Sequence, residues 1–235
     1  MKKIINFLLI ATVLVSSTFF LSACTKKTNT TTIQPQKTKE VAKQIELSEN
    51  EKPYISLIPR DDGHELKFKV RDIPSKFSTA EYELIYTAED EGLEIEKGVS
   101  GTVKLTDLAF EKDLLLGTSS CTNGCKYKYD EGITGGVLTL TLTTNDKQYI
   151  TFETPFVLTT SAQINKNKSI NITQENFEVK ATATSKNDFF IAIKNIKPMY
   201  SIFSNGNGAG KITLIQPNTI TKENLNSLVG DYLIP

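Results

Sequence analysis

Leu138-Thr139-Leu140-Thr141-Leu142-Thr143 alternates leucine with threonine for six residues, and its period of two decides the fold class. Successive side chains of a β-strand point to opposite faces, so this stretch describes a strand with one leucine face and one hydroxyl face. A sheet with one buried and one wet side follows. The same period recurs on both sides of it. Leu66, Phe68 and Val70 alternate with Lys67 and Lys69, and Tyr82, Leu84 and Tyr86 with Glu81, Glu83 and Ile85. Further strands are expected over 54–58, 101–105, 110–115, 149–152 and 156–158. Asp61-Asp62-Gly63, Glu91-Gly92, Thr122-Asn123-Gly124 and Asn145-Asp146-Lys147 supply turn chemistry between them.

Seven or eight short strands with punctuation at this spacing resemble an antiparallel sandwich of the immunoglobulin-like or fibronectin-like kind over residues 53–160. The Cys, Trp and Cys of antibody domains are missing, since the chain has no tryptophan. Residues 161–235 read as a smaller β-rich unit packed against the first, the short polar stretch 159–168 being the link, with a single composite domain as the alternative. Its strands are expected at Ile170 and Ile172 and over 177–183, 189–196, 200–203 and 211–215. One short C-terminal helix is expected from an N-cap at Thr221, with Leu225, Leu228 and Val229 on one stripe and Gly230 as its stop.

The N-terminus is of another kind. Lys2-Lys3 precedes an almost wholly apolar run from Ile4 to Phe20, the n-region and h-region of a signal peptide. The run is slightly short of the roughly 20 apolar residues of a membrane span and becomes hydroxyl-rich at Ser16-Ser17-Thr18. Leu21-Ser22-Ala23-Cys24 follows and resembles the lipobox of bacterial lipoproteins. That resemblance covers residues 1–24. It implies cleavage between Ala23 and Cys24, a diacylglycerol thioether on Cys24, acyl chains such as palmitate, and an extracytoplasmic protein held on the cell membrane or outer membrane. An ordinary secretory signal cleaved nearby and an uncleaved anchor are the alternatives, and all three export the chain.

Residues 25–52 contain no aromatic side chain and few aliphatic ones, so they read as a disordered tether spanning on the order of 30 Å. Val41, Ile45 and Leu47 allow at most a helical turn or two within it. Cleavage after Ala23 removes two of the 27 basic residues and none of the 27 acidic ones, leaving a slight negative balance that argues against nucleic acid as a partner.

With Cys24 taken by lipid, Cys121 and Cys125 remain as a pair in Cys-Thr-Asn-Gly-Cys. An even count in an exported chain points to a disulfide, and Asn123-Gly124 suits the tight hairpin that would close it. A thiol oxidoreductase places such a pair at a helix N-terminus, and a copper site needs a histidine beside it. The flanks here read as strands, and His64 is the sole imidazole. Its context, Asp62-Gly63-His64, suggests an exposed turn.

No Ser-His-Asp, Cys-His or Gly-x-Ser-x-Gly arrangement is present, so no catalytic residue, metal or cofactor is expected. Asp61-Asp62 and Glu89-Asp90-Glu91 lie in turns, where carboxylates are ordinary. Gly206-Asn207-Gly208-Ala209-Gly210-Lys211 departs from a phosphate loop in lacking Ser or Thr after the lysine, and an alternating strand pattern follows it. Tyr127 and Tyr129 are assigned to a strand, an aromatic platform being the alternative. The passage from Leu114 through Cys121 to Gly132 resembles uncharacterised exported bacterial proteins, which implies no activity. A binding or structural role at the envelope, toward a protein or glycan partner, is the expectation; an envelope enzyme or thiol or copper handler using Cys121 and Cys125 is the alternative.

Overall fold

The computed structural model describes residues 42–235, so Cys24, the signal segment 1–23 and the tether up to residue 41 lie outside the described residues. From Lys43 onward the segment assigned to the tether belongs to the fold. In place of helical turns, strand β1 (Lys43–Gln44) pairs parallel with a later strand, Ile45 and Leu47 pack on the core, and a short 3-10 turn follows at Glu49–Glu51.

Fifteen strands follow among the described residues: β2 (Tyr54–Pro59), β3 (Glu65–Arg71), β4 (Phe77–Asp90), β5 (Leu93–Lys104), β6 (Phe110–Leu115), β7 (Gly117–Cys121), β8 (Cys125–Tyr129), β9 (Gly135–Thr144), β10 (Gln148–Thr160), β11 (Ser169–Ile172), β12 (Phe177–Ala183), β13 (Phe189–Lys194), β14 (Met199–Ser204), β15 (Gly210–Gln216) and β16 (Gly230–Leu233). The order β16-β14-β13-β10-β9-β4-β5 forms one large sheet with β1 appended to β10. Two three-stranded sheets, β2-β3-β6 and β11-β12-β15, cover it, and β7 and β8 pair only with each other. Apart from β1, every pairing between strands is antiparallel, so the mainly β sandwich expectation holds.

The large sheet is shared by two cores. Leu138, Leu140 and Leu142 of β9 join Leu84 of β4 against Leu57, Phe68 and Leu114 of the β2-β3-β6 layer, all fully or almost fully buried. Thr139, Thr141 and Thr143 face the other way, and the Thr141 and Thr151 hydroxyls bond across β9 and β10 at 2.9 Å. On β13 the faces divide differently. Ile191 and Ile193 enter the first core, while Phe190 and Ala192 enter a second one with Phe177, Val179, Tyr200, Ile202 and Tyr232. Alternate residues of a strand face opposite ways, so the two cores lie on opposite sides of the sheet and β13 is buried on both. That accounts for its unbroken Phe189-Phe190-Ile191-Ala192-Ile193, which no single-faced strand would carry.

The boundary drawn near residue 160 therefore falls inside a continuous sheet, and the described residues, 42–235, belong to one compact unit. β10 joins the two cores, and Pro155 does not interrupt it. The Leu158 N–H points toward the β9 side, to Thr134, so the nitrogen of Pro155, odd in the alternation, faces the opposite edge. There it falls in the gap between β1, paired at Gln148 and Tyr149, and β13, paired from Phe156, where no ladder donor is required.

Among the described residues one short α-helix is present, at the head of the C-terminal segment rather than at its close. Helix α1 (Ser161–Asn167) is started by a capping box, in which the Gln163 N–H donates to Thr160 Oγ1 and the Thr160 N–H to Gln163 Oε1, and Ile164 plugs it into the second core. The expected Thr221 helix is an irregular loop with isolated bridges. Its backbone groups are taken by β15 and the turn before it: Ile212 N–H donates to Leu225 O, and Leu228 N–H to Gly208 O. Asn224 Oδ1 accepts from Asn226 N–H, a local bond that competes with helix, and Leu225 points outward at 48% exposure.

Candidate functional site

Hairpin β7–β8 stands apart from both cores. Every residue between Gly117 and Tyr129 is exposed, and an isolated two-stranded hairpin is marginal in water. Chemistry at its tip, along one face and at its foot compensates.

At the tip, Cys121 and Cys125 are direct cross-strand partners with Cα atoms 4.1 Å apart and sulfurs at disulfide distance, 2.17 Å. The loop they close is Thr122-Asn123-Gly124, with Gly124 at φ 91°. The flanks are strands, so no helix dipole acts on either sulfur.

Along one face, register and alternation place Tyr127 and Tyr129 with Ser119 and the cysteine pair, while Lys126 and Lys128 occupy the reverse side with Thr118 and Ser120. The two tyrosine rings run parallel, 6.0 Å between centroids and 9° between planes. His64 stacks on Tyr129 at 4.2 Å and 8°, so three rings form a ladder from foot toward tip. Tyr127, 54% exposed, is its open end. The tyrosines are thus strand residues and a platform at once. His64 is half-buried in that ladder and is not a free turn residue.

The foot is fixed by charge and backbone. Arg60 donates to both carboxylate oxygens of Asp62, at 2.9 and 2.7 Å, and also reaches the Tyr129 hydroxyl. The Arg60 guanidinium holds the Asp62 carboxyl down at about 2, helped by the His64 N–H that Asp62 accepts at 3.0 Å. Buried Asp130 accepts from Tyr86 Oη at 2.8 Å and from Lys97 Nζ at 2.5 Å, tying the end of β8 to the large sheet. Burial, reinforced by Asp130, pushes the Tyr86 hydroxyl far above the tyrosine range. Gly117 sits at φ 149°, and a Cβ there would lie 2.3 Å from the Lys128 carbonyl, so only glycine permits the strands to close at this point.

An open polar cleft of about 390 Å³ lies beside the foot, lined by Asp62, His64, Glu131, Thr160, Gln163 and Phe189. Among the described residues no cluster of three or more histidine, cysteine or acidic side chains is gathered as a metal site would require. Of the acidic turns, Asp62 is taken by Arg60, and Asp61 accepts from Asn205 at 3.2 Å. The glycine run 206–210 leads directly into β15, so no helix follows it. What the hairpin offers is contact chemistry: a stiff aromatic face with hydroxyls beside it, and two ammonium groups behind.

No protein-family model, curated protein or solved structure matches this chain.

Proposed function

We propose that the chain is a lipid-anchored extracytoplasmic protein of the bacterial envelope with a non-enzymatic, binding role, and that hairpin β7–β8 is its contact element toward an envelope protein or glycan. The observation that carries this reading is the exposed ring ladder of His64, Tyr129 and Tyr127 on a hairpin that serves neither core. Aromatic groups held rigid before binding lose little conformational freedom on contact, which is why tyrosine is enriched in recognition surfaces. Leu21-Ser22-Ala23-Cys24 supports the anchor. Two or more acyl chains, at about 0.8 kcal/mol per buried methylene, hold a protein stably at a membrane where one chain does not. The residues between Cys24 and Lys43 then act as the spacer.

The test replaces the open end of the ladder. Tyr127→Ser should leave the fold unchanged and weaken co-sedimentation with isolated envelopes, separated into glycan sacculi and membrane vesicles, by about tenfold in the fraction that holds the partner. Equal retention of the parent chain and the variant by both fractions would contradict the proposal.

A further inference from the structure

We propose that the free edge of β5 pairs with the same edge of a second copy of this chain, antiparallel about a twofold axis through Val99. Strand β5 is twelve residues long, contains no proline and pairs with β4 along its whole length, while its other edge pairs with no strand among the described residues. Proteins commonly blunt such an edge with proline, shortness or an inward-pointing charge. The inward charge here is Lys97, and it is consumed by Asp130, whose side chain is 3% exposed.

The two faces of β5 are complementary to themselves in one register. Ile95, Val99 and Val103 point toward the first core yet remain only partly buried, because the sheet ends there. Glu94, Glu96 and Lys104 are exposed on the opposite face, acid at one end and base at the other. With Val99 on the axis, Glu94 of each copy faces Lys104 of the other, Ile95 faces Val103, and Lys97 faces Gly101. Leu93, 69% exposed, meets Leu105 of the second copy.

Competing registers are poorer. A slip by one residue sets the apolar row against the charged one. A slip by two centres the axis on Gly98 or Ser100 and in either case puts Lys97 opposite a valine. Parallel pairing brings like charges together. The antiparallel contact is isologous, so it uses both free edges and stops at a dimer. It does not depend on what the hairpin binds.

Sedimentation equilibrium of the full chain in detergent across the micromolar range tests this. The expected result is a monomer–dimer equilibrium. Glu94→Lys and Lys104→Glu should each raise its Kd about tenfold by turning two opposite-charge pairs into like-charge ones. The double variant Glu94→Lys with Lys104→Glu should recover the parent Kd, and all three should keep the parent circular dichroism spectrum. A monomer at every concentration, or single and double variants that dimerise alike, overturns the proposal.

Discussion

Replacing Asn195 by alanine is expected to lower the unfolding free energy by about 3–5 kcal/mol, a drop in Tm of roughly 10 °C. Asn195 is 3% exposed and bonds both backbone groups of Ile55: it accepts from Ile55 N–H at 3.1 Å and donates to Ile55 O at 2.9 Å. The same amide donates to Ser201 Oγ at 3.1 Å, and both Ser201 Oγ and Tyr54 Oη donate to Asp231 Oδ1, at 2.6 and 2.7 Å. Alanine leaves two backbone groups of β2 buried without partners, and each costs its desolvation. The network also pins the β2-β3-β6 layer to β14 and β16. The Tyr54 hydroxyl is pushed up to about 12, chiefly by burial, so it stays a donor to Asp231 throughout the neutral range. Urea unfolding measures the loss, and a cost under about 1 kcal/mol would show the network to be dispensable.

Phe68→Ala and Phe177→Ala should each cost about 3–5 kcal/mol, and each should destabilise both cores. Phe68 stands edge-on to Tyr82 and Phe110, at 5.5 Å from each, in the first core; Phe177 stacks on Tyr200 at 4.1 Å and meets Tyr232 edge-on at 5.4 Å in the second. Because β10 and β13 supply side chains to both, neither core can open without exposing the sheet they share. Native-state hydrogen exchange should therefore show β9 and β12 losing protection together in either variant. Loss confined to the strand on the mutated side would mean two independently folding units.

The β9 alternation was legible because one of its faces meets solvent, and the same holds for Leu66, Phe68 and Val70 on β3. β13 showed only that it was apolar. One of its faces is covered by β2 and β3, more than a hundred positions away, and the other by β12, close in sequence, so the double burial depends on how the two layers are placed and not on the segment itself. Helix α1 did carry a local signal, the Thr160-x-x-Gln163 capping box, but with Ile164 as its one buried apolar residue it had no stripe to reveal it. The Thr221 stripe misled for the converse reason, since its backbone is claimed by β15. At the candidate site, the spacing of Cys121 and Cys125 was enough to foresee a closed hairpin. His64 joining Tyr129 was not foreseeable, because their stacking requires the turn before β3 to meet the end of β8 across 65 residues of chain.

The proposed anchor, hairpin contact and edge contact describe one arrangement, in which a lipid would fix the location, a spacer would separate membrane from fold, and β7–β8 and β5 would provide separate contacts. The anchor is the central claim of the proposed function, and intact mass spectrometry of the chain purified from bacterial envelopes tests it most directly. The expected species begins at Cys24, carries a diacylglycerol thioether and has Cys121 and Cys125 joined. A chain that retains residues 1–23, or one with an unmodified Cys24, would contradict it.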